Sequence, residues 1–295
     1  MIPPNAMAVD TREFARTLTY ARQAGPAEVL EDLQTLREID AHSESKVALW
    51  GTVKTACVVA AIAAVALGLM VHVASGLGAA IGFAVGALVA QQRRRVHARL
   101  DIENRRYEMT QNVVRLLAAD MAPDAGLAVH IDFGAADALH KRSDSETVGE
   151  WDVERFRDPW LSLAGRFVDG TRYRVRFSHE LQKRSRWKRS ASGKRKYKSK
   201  RKSKNVAAIE LRPKASKYPH LPSLARALDE TVQLPEYAEL AHAELDGDRI
   251  TLKALVRDGW REDGLRASHV IAMMLLSGYQ VLNAAKAIGR RGHAA

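Results

Sequence analysis

A single cysteine, Cys57, occurs in 295 residues. No disulfide can form within the chain, and ten histidines without ligand spacing do not make up a metal cluster around one thiol. Charge is missing over a longer interval. Residues 55–92 contain no Asp, Glu, Lys or Arg and no proline, over 38 positions. Soluble domains of ordinary composition do not leave so long a stretch uncharged, and the absence predicts a segment embedded in a membrane. A cleavable signal peptide does not fit, because the apolar run lies behind a long charged segment and is long enough for two spans.

At about 1.5 Å per residue, an uncharged helix of this length would run roughly 57 Å, nearly twice a hydrocarbon core of about 30 Å. The expectation is a two-helix transmembrane hairpin over 47–90, turning near His72 and Gly76, with Lys54 snorkelling outward beside Trp50. The turn holds no Lys or Arg. Arg93, Arg94, Arg95, Arg99, Arg105 and Arg106 follow the second span, and Arg37 and Lys46 precede the first. This asymmetry predicts an integral protein of a plasma or inner membrane with both termini in the cytoplasm, where a reducing environment suits the lone cysteine.

Small residues recur at every fourth position: Ala56, Ala60, Ala64 and Gly68 in the first span, Gly78, Gly82 and Gly86 in the second. Such a face lets a neighbouring backbone approach closely, a contact that in lipid replaces the missing hydrophobic drive. The two faces either close the hairpin on itself or also build a homo-oligomer as a glycine zipper. A polar pore is not favoured, because His72 is the one ionisable side chain inside the run.

Residues 1–46 read as an amphipathic helical segment, apolar at Phe14, Leu18, Val29, Leu33, Leu36 and Ile39 and interrupted near Gly25-Pro26. Residues 91–122 are expected to continue the second span as a helical stalk. Val96, Leu100, Tyr107, Val114, Leu117 and Met121 form an imperfect coiled-coil seam there, which Pro123 ends. Over 124–295 the pattern predicts a cytosolic α+β domain, with strands at 127–133, 161–168, 173–181, 206–212 and 249–257. Residues 134–158 read as a loop or short helix, 221–232 and 236–245 as helical pieces, and 265–288 as one long helix. Asp169-Gly170 and Asp246-Gly247-Asp248 are turn signals. The final helix is apolar enough at 270–276 to raise a third crossing, but His269, Gln280, Asn283 and Lys286 favour burial across the sheet.

Between Gln182 and Asn205 there are 13 Lys or Arg residues and no acid, while the remaining 33 bases face 34 acids. The net charge of +12 is therefore local to an arm at 183–204. Pairing residues whose numbers sum to 384 sets Tyr173 opposite Leu211, Val175 opposite Ile209 and Trp187 opposite Tyr197, with Ala191-Ser192-Gly193 as a three-residue loop. The arm thus reads as a long basic β-hairpin, its outer part frayed by like charges until a polyanion neutralises it. The candidate polyanion-binding residues are Lys183, Arg184, Arg186, Trp187, Lys188, Arg189, Lys194, Arg195, Lys196, Tyr197, Lys198, Lys200, Arg201, Lys202 and Lys204. Anionic lipid headgroups and nucleic acid both suit them, the latter with Trp187 and Tyr197 stacking on bases.

Catalytic and cofactor motifs are missing. Ser192-Gly193-Lys194 lacks the upstream glycine and following hydroxyl of a phosphate loop, and the gap from Gly165 to Gly170 is followed by Thr171 instead of lysine. His130 and Asp132 share a strand face as an acid–base pair would, but exposed polar residues on a half-buried strand explain them as well. The sequence reading is a non-enzymatic, membrane-anchored adaptor that binds a polyanion. The alternative is an oligomerising glycine-zipper membrane effector or channel with a cytosolic sensor domain.

Overall fold

The computed structural model describes residues 10–70, 73–189, 193–256 and 264–292. The chain is mixed α and β and divides into two compact units: residues up to Leu18 with Asp32–Asn104, and Thr19–Glu31 with Arg105 onward.

The first unit is helical. In α1 (Thr11–Thr17) the Asp10 carboxylate accepts hydrogen bonds from the backbone N–H groups of Arg12 and Glu13, and Leu18 stops the helix in a left-handed conformation. Helix α2 (Pro26–Met70) opens with proline, whose missing N–H costs a first turn nothing, and continues for 45 residues. At about 67 Å it runs without a break through the boundary expected near residue 46. Helix α3 (Val73–His97) follows, and the predicted turn at His72 lies outside the described residues. The two helices touch backbone to backbone. A Cβ added to Gly68 would lie 2.5 Å from Gly76 Cα, and one added to Gly76 would lie 2.8 Å from the Ala64 carbonyl oxygen. A Cβ added to Gly86 would lie 3.3 Å from the Cys57 thiol sulfur, and Gly51 faces Arg94. Gly78 and Gly82 have nothing within 4 Å of the same position.

The stalk differs from expectation. Helix α3 ends at His97 and α4 (Asn104–Ala118) begins after six intervening residues, none of them proline or glycine. Asp40 accepts a hydrogen bond from the Ile102 N–H at 2.9 Å, and the Asn104 amide donates to Glu44 at 3.1 Å. These contacts, some 60 residues apart in sequence, satisfy backbone and polar groups where the helix is interrupted. Of the expected seam, Tyr107, Val114, Leu117 and Met121 are buried, while Val96 is exposed.

The second unit is an eight-stranded antiparallel sheet in the order β1 (Thr19–Ala24), β2 (Leu127–Asp132), β4 (Trp151–Arg166), β5 (Arg172–Arg189), β6 (Arg195–Arg212), β8 (Arg249–Val256) and β7 (Ala238–Asp246). Strand β3 (Arg142–Val148) pairs with the outer half of β4. Three segments depart from the sequence pattern. Thr19–Ala24, predicted helical, is an edge strand with Tyr20 as its one deeply buried residue. The stretch 134–158 holds a single 3₁₀ turn, β3 and the start of β4. The predicted helix at 236–245 is strand β7, whose alternation is interrupted by a bulge between Leu240 and His242. A 3₁₀ turn and the short α5 (Leu228–Thr231) occupy the other predicted helical piece, and Arg257 lies outside the described residues.

Alternation builds the core. Tyr173, Val175 and Phe177 on β5 share a buried face with Ala207, Ile209 and Leu211 on β6 and Ile250, Leu252 and Ala254 on β8. Each large aliphatic side chain there contributes about 1.5–3 kcal/mol. Helix α6 (Gly264–Gly292) lies on this face, and Gly278 admits Leu211 so closely that a Cβ would stand 2.5 Å from its Cδ1.

Three helical stretches are long and apolar enough to cross a membrane: Pro26–Met70, Val73–His97 and Leu265–Ile288. The last has 44% of its most apolar window buried within the protein, against 6% and 17% for the first two. Its apolar face is occupied by the sheet, whereas those of α2 and α3 are open, which associates the chain with a membrane through α2 and α3.

Beneath the sheet lies a buried charge cluster. The Arg106 guanidinium and Lys141 ammonium reach the Asp158 carboxylate at 2.8 and 2.7 Å, and Lys141 also reaches Asp132 at 2.8 Å. Arg106 further donates to the Asp132 carbonyl and lies 5.4 Å over the Trp160 ring. Arg106, counted above among the bases flanking the membrane, is therefore a core residue.

Candidate polyanion interface

Strands β5 and β6 are each 18 residues long, and their pairing runs without a slip from Arg172 opposite Arg212 to Arg189 opposite Arg195. Every pair sums to 384, as the alternation predicts, and Gly193 takes the left-handed φ of 75° that the turn requires. Ala191 and Ser192 lie outside the described residues.

Fraying beyond Lys183 was expected, yet the ladder continues to Arg189. The neighbouring strands supply the reason. Strand β4 pairs with β5 from Asp152 opposite Ser185 inward, and β3 flanks β4, so the inner part of the ribbon is four strands wide. Residues 143–154 hold Asp144, Glu146, Glu150, Asp152 and Glu154 and no base. Glu150 pairs with Arg186 at 2.5 Å, and Asp137, just before β3, pairs with Lys183 at 2.5 Å. The Lys183 hydrogen bond holds the Asp137 carboxyl below its usual pKa, against burial, which works to raise it.

The ladder sorts the candidate residues onto two faces. Odd-numbered positions continue the core face outward: Lys183, Trp187 and Arg189 on β5, Arg195, Tyr197 and Arg201 on β6. Trp187 and Tyr197 pack together at 5.2 Å with Arg195 stacked 5.3 Å over Trp187, and both rings remain more than half exposed. Even-numbered positions form the opposite face: Arg184, Arg186 and Lys188 on β5, Lys196, Lys198, Lys200, Lys202 and Lys204 on β6. Lys194 lies just before β6 begins. The fifteen residues are brought together on one ribbon but not on one surface.

Sequence reasoning missed several members of the lysine face. Trp151 opens β4 there, under Arg186 at 4.5 Å and Lys200 at 5.6 Å. Arg172, Arg174 and Arg176 continue the same face toward the base of the sheet, and Arg174 and Arg176 share Glu210. Their signal was available, since the arginines alternate with Tyr173, Val175 and Phe177, but only the apolar half of that pattern drew notice. Arg155, Arg157, Glu180, Gln182, Lys202 and Lys204 help line a cleft of about 360 Å³. Arg155 is committed to Asp144 and Glu146.

Cations on the two strands differ in their partners. On β5, Lys183 and Arg186 have carboxylates. On β6, Lys196, Lys198, Lys202 and Lys204 have no ion-pair partner among the described residues, and Lys200 has only the Trp151 ring.

Other candidates have structural roles. Burial works to raise the Asp132 pKa, but hydrogen bonds from Lys141 and the Gly134 N–H, with the charges of Lys141 and Arg106, hold it below the ordinary value. Asp132 is thus engaged with Lys141, while His130 stays exposed on β2. In the helical unit, Asp40, Glu44 and Asp101 bring carboxylate oxygens within 4.8 Å of one another. Two of these already receive the Ile102 N–H and the Asn104 amide.

Comparison with protein-family models, with curated proteins and with solved structures gives no match for this chain, so the interface is read from its own chemistry.

Proposed function

We propose that the chain is a membrane-anchored adaptor, binding and not catalytic. In this reading α2 and α3 cross the bilayer as a hairpin with both termini cytoplasmic, and the sheet unit presents its lysine face to a polyanion, either nucleic acid or anionic lipid headgroups. The observation that carries it is the run of β6 lysines without an ion-pair partner among the described residues, beside a β5 on which Lys183 and Arg186 each have one. Like charges set side by side repel, and a polyanion relieves that repulsion when it binds. Full-length protein in nanodiscs of neutral lipid is predicted to bind a labelled oligonucleotide or to capture anionic vesicles, and to lose this on deletion of residues 183–204. Unchanged binding after the deletion would count decisively against the reading.

The open faces of Gly78 and Gly82 favour a second reading, in which these glycines seat a second copy of the chain in the membrane. Gly82→Leu is then predicted to abolish crosslinked oligomers, and an unaltered ladder of crosslinked species removes the support for it.

A further inference from the structure

Resting on the polyanion reading, we propose that the ligand is a single-stranded nucleic acid lying along β6, its phosphates held one by one by Lys196, Lys198, Lys200, Lys202 and Lys204. These lysines are consecutive on one face of one strand. Successive members are therefore about 6.7 Å apart and the row is about 27 Å long. Consecutive phosphates of an extended single strand repeat at nearly the same interval, while a duplex backbone winds away from a straight row after a few contacts.

Access and charge point the same way. Strand β8 ends with Val256 opposite Asn205, so among the described residues no strand borders the outer edge of β6 from Arg195 to Lys204. Across the sheet the basic run gives way to Asp144 and Glu146 on β3, three strands away on the same face and paired with Arg155 of β4. A bilayer surface broad enough to meet the lysines along their length would also have to lie against that acidic margin. A linear polyanion on β6 avoids it by roughly 14 Å. Trp187 and Tyr197 face away from the row, so the contact is with the backbone of the ligand and discriminates little between bases.

Fluorescence anisotropy on full-length protein in phosphatidylcholine nanodiscs tests this, with a labelled 12-mer of deoxythymidine or uridine and a 12-base-pair duplex as probes. Five phosphate contacts predict a log–log salt slope of about −3.5 for the single strand, roughly a hundredfold loss of affinity between 50 and 200 mM salt. Lys198→Gln with Lys202→Gln should flatten the slope to about −2.1, a loss of roughly twentyfold over the same interval. Arg195→Gln with Arg201→Gln, on the opposite face, should leave the slope near its parent value, as should Trp187→Ala. Equal flattening by both pairs, or a duplex bound as tightly as the single strand, overturns the row. Failure to bind either oligonucleotide, with retained capture of phosphatidylserine vesicles, overturns the nucleic-acid assignment while the polyanion reading stands. Loss of both overturns the two together. Matching circular dichroism of each variant with the parent confirms that its fold is intact.

Discussion

The helix pair and the ribbon are each built from one repeated kind of residue, small in the first and basic in the second. In each, contact within the chain satisfies only part of the repeat. Among the described residues, Gly68, Gly76 and Gly86 meet a neighbouring helix while Gly78 and Gly82 meet nothing, and Lys183 and Arg186 meet carboxylates while the five lysines of β6 do not. The consequences differ. With α3 in a bilayer, as proposed, a glycine without a neighbour would be covered by lipid at little cost, because lipid tails are as apolar as the helix they replace. Lysines facing Lys188, Arg186 and Arg184 across the ladder repel them. The open glycines permit a partner, whereas the open lysines favour one.

The buried cluster of Arg106, Lys141, Asp132 and Asp158 is the limiting case, in which every charge has a partner within the chain. Breaking it is predicted to have the largest effect. Asp158→Ala leaves Arg106 and Lys141 buried beside a missing carboxylate, at a cost of about 3–5 kcal/mol. A thermal or urea melt of the protein in detergent checks this. A loss below 1 kcal/mol would mean that these charges reach water and are no different in kind from those on the ribbon.

Next in size is the contact between α2 and α3. Gly76→Leu forces a side chain against the backbone at Gly68 and Ala64 and is predicted to cost about 1–3 kcal/mol as overpacking, whereas Gly82→Leu meets open space. The native thiol supplies the readout. In a Gly86→Cys background, oxidation should join residue 86 to Cys57 within one chain, since the two positions already face each other. Adding Gly76→Leu should suppress that bond, and adding Gly82→Leu should leave it. Equal yields from both would erase the distinction drawn among the glycines.

How far the sequence could reveal these arrangements depends on where the decisive contact lies. The β5–β6 register was legible because strict alternation and a glycine turn are local, so Tyr173 and Leu211 are brought opposite each other by counting alone. Strand β3 was hidden because all its side chains are exposed, leaving no apolar period to read. Strand β1 was hidden because a six-residue edge strand carries one deeply buried side chain, beside helices whose spacing absorbs it. The break at 98–103 has no local breaker at all, and depends on Asp40 taking the Ile102 N–H from 62 residues away. The acidic hairpin was plain as composition, but its place beside the basic strands required the β4 pairing. The basic residues were therefore legible as one ribbon, while their division between two faces was not.

A smaller effect is expected from the acids that separate β5 from β6. Glu150→Gln and Asp137→Asn release Arg186 and Lys183 without altering β6. Exposed pairs are worth about 0–1 kcal/mol each, so each single variant should bind a polyanion up to about fivefold more tightly and the double variant up to about thirtyfold, by the same anisotropy measurement. A much larger gain would show that the acidic hairpin masks the ribbon, and would make β5 as much a binding strand as β6.

The smallest effect concerns the protonation of Asp137. Its folded-state pKa is lowered from 3.8 chiefly by the hydrogen bond from Lys183, with burial opposing. A carboxyl whose pKa is depressed on folding adds stability that is fully present above its unfolded value and is lost as pH falls through the folded one. Near neutral pH the Lys183–Asp137 pair should therefore be unaffected by a change of one pH unit, and should open only below about pH 4. The indole signals of Trp151 and Trp187 on the adjoining ribbon provide the measurement, compared between the parent and Asp137→Asn from pH 7 down to pH 2. The two proteins should differ at the upper end and converge at the lower, because protonation removes from the parent the charge that the variant already lacks. Convergence near pH 6 would contradict a lowered carboxyl. It would also place the partner of Lys183 elsewhere, weakening the contrast between the paired cations of β5 and the open lysines of β6.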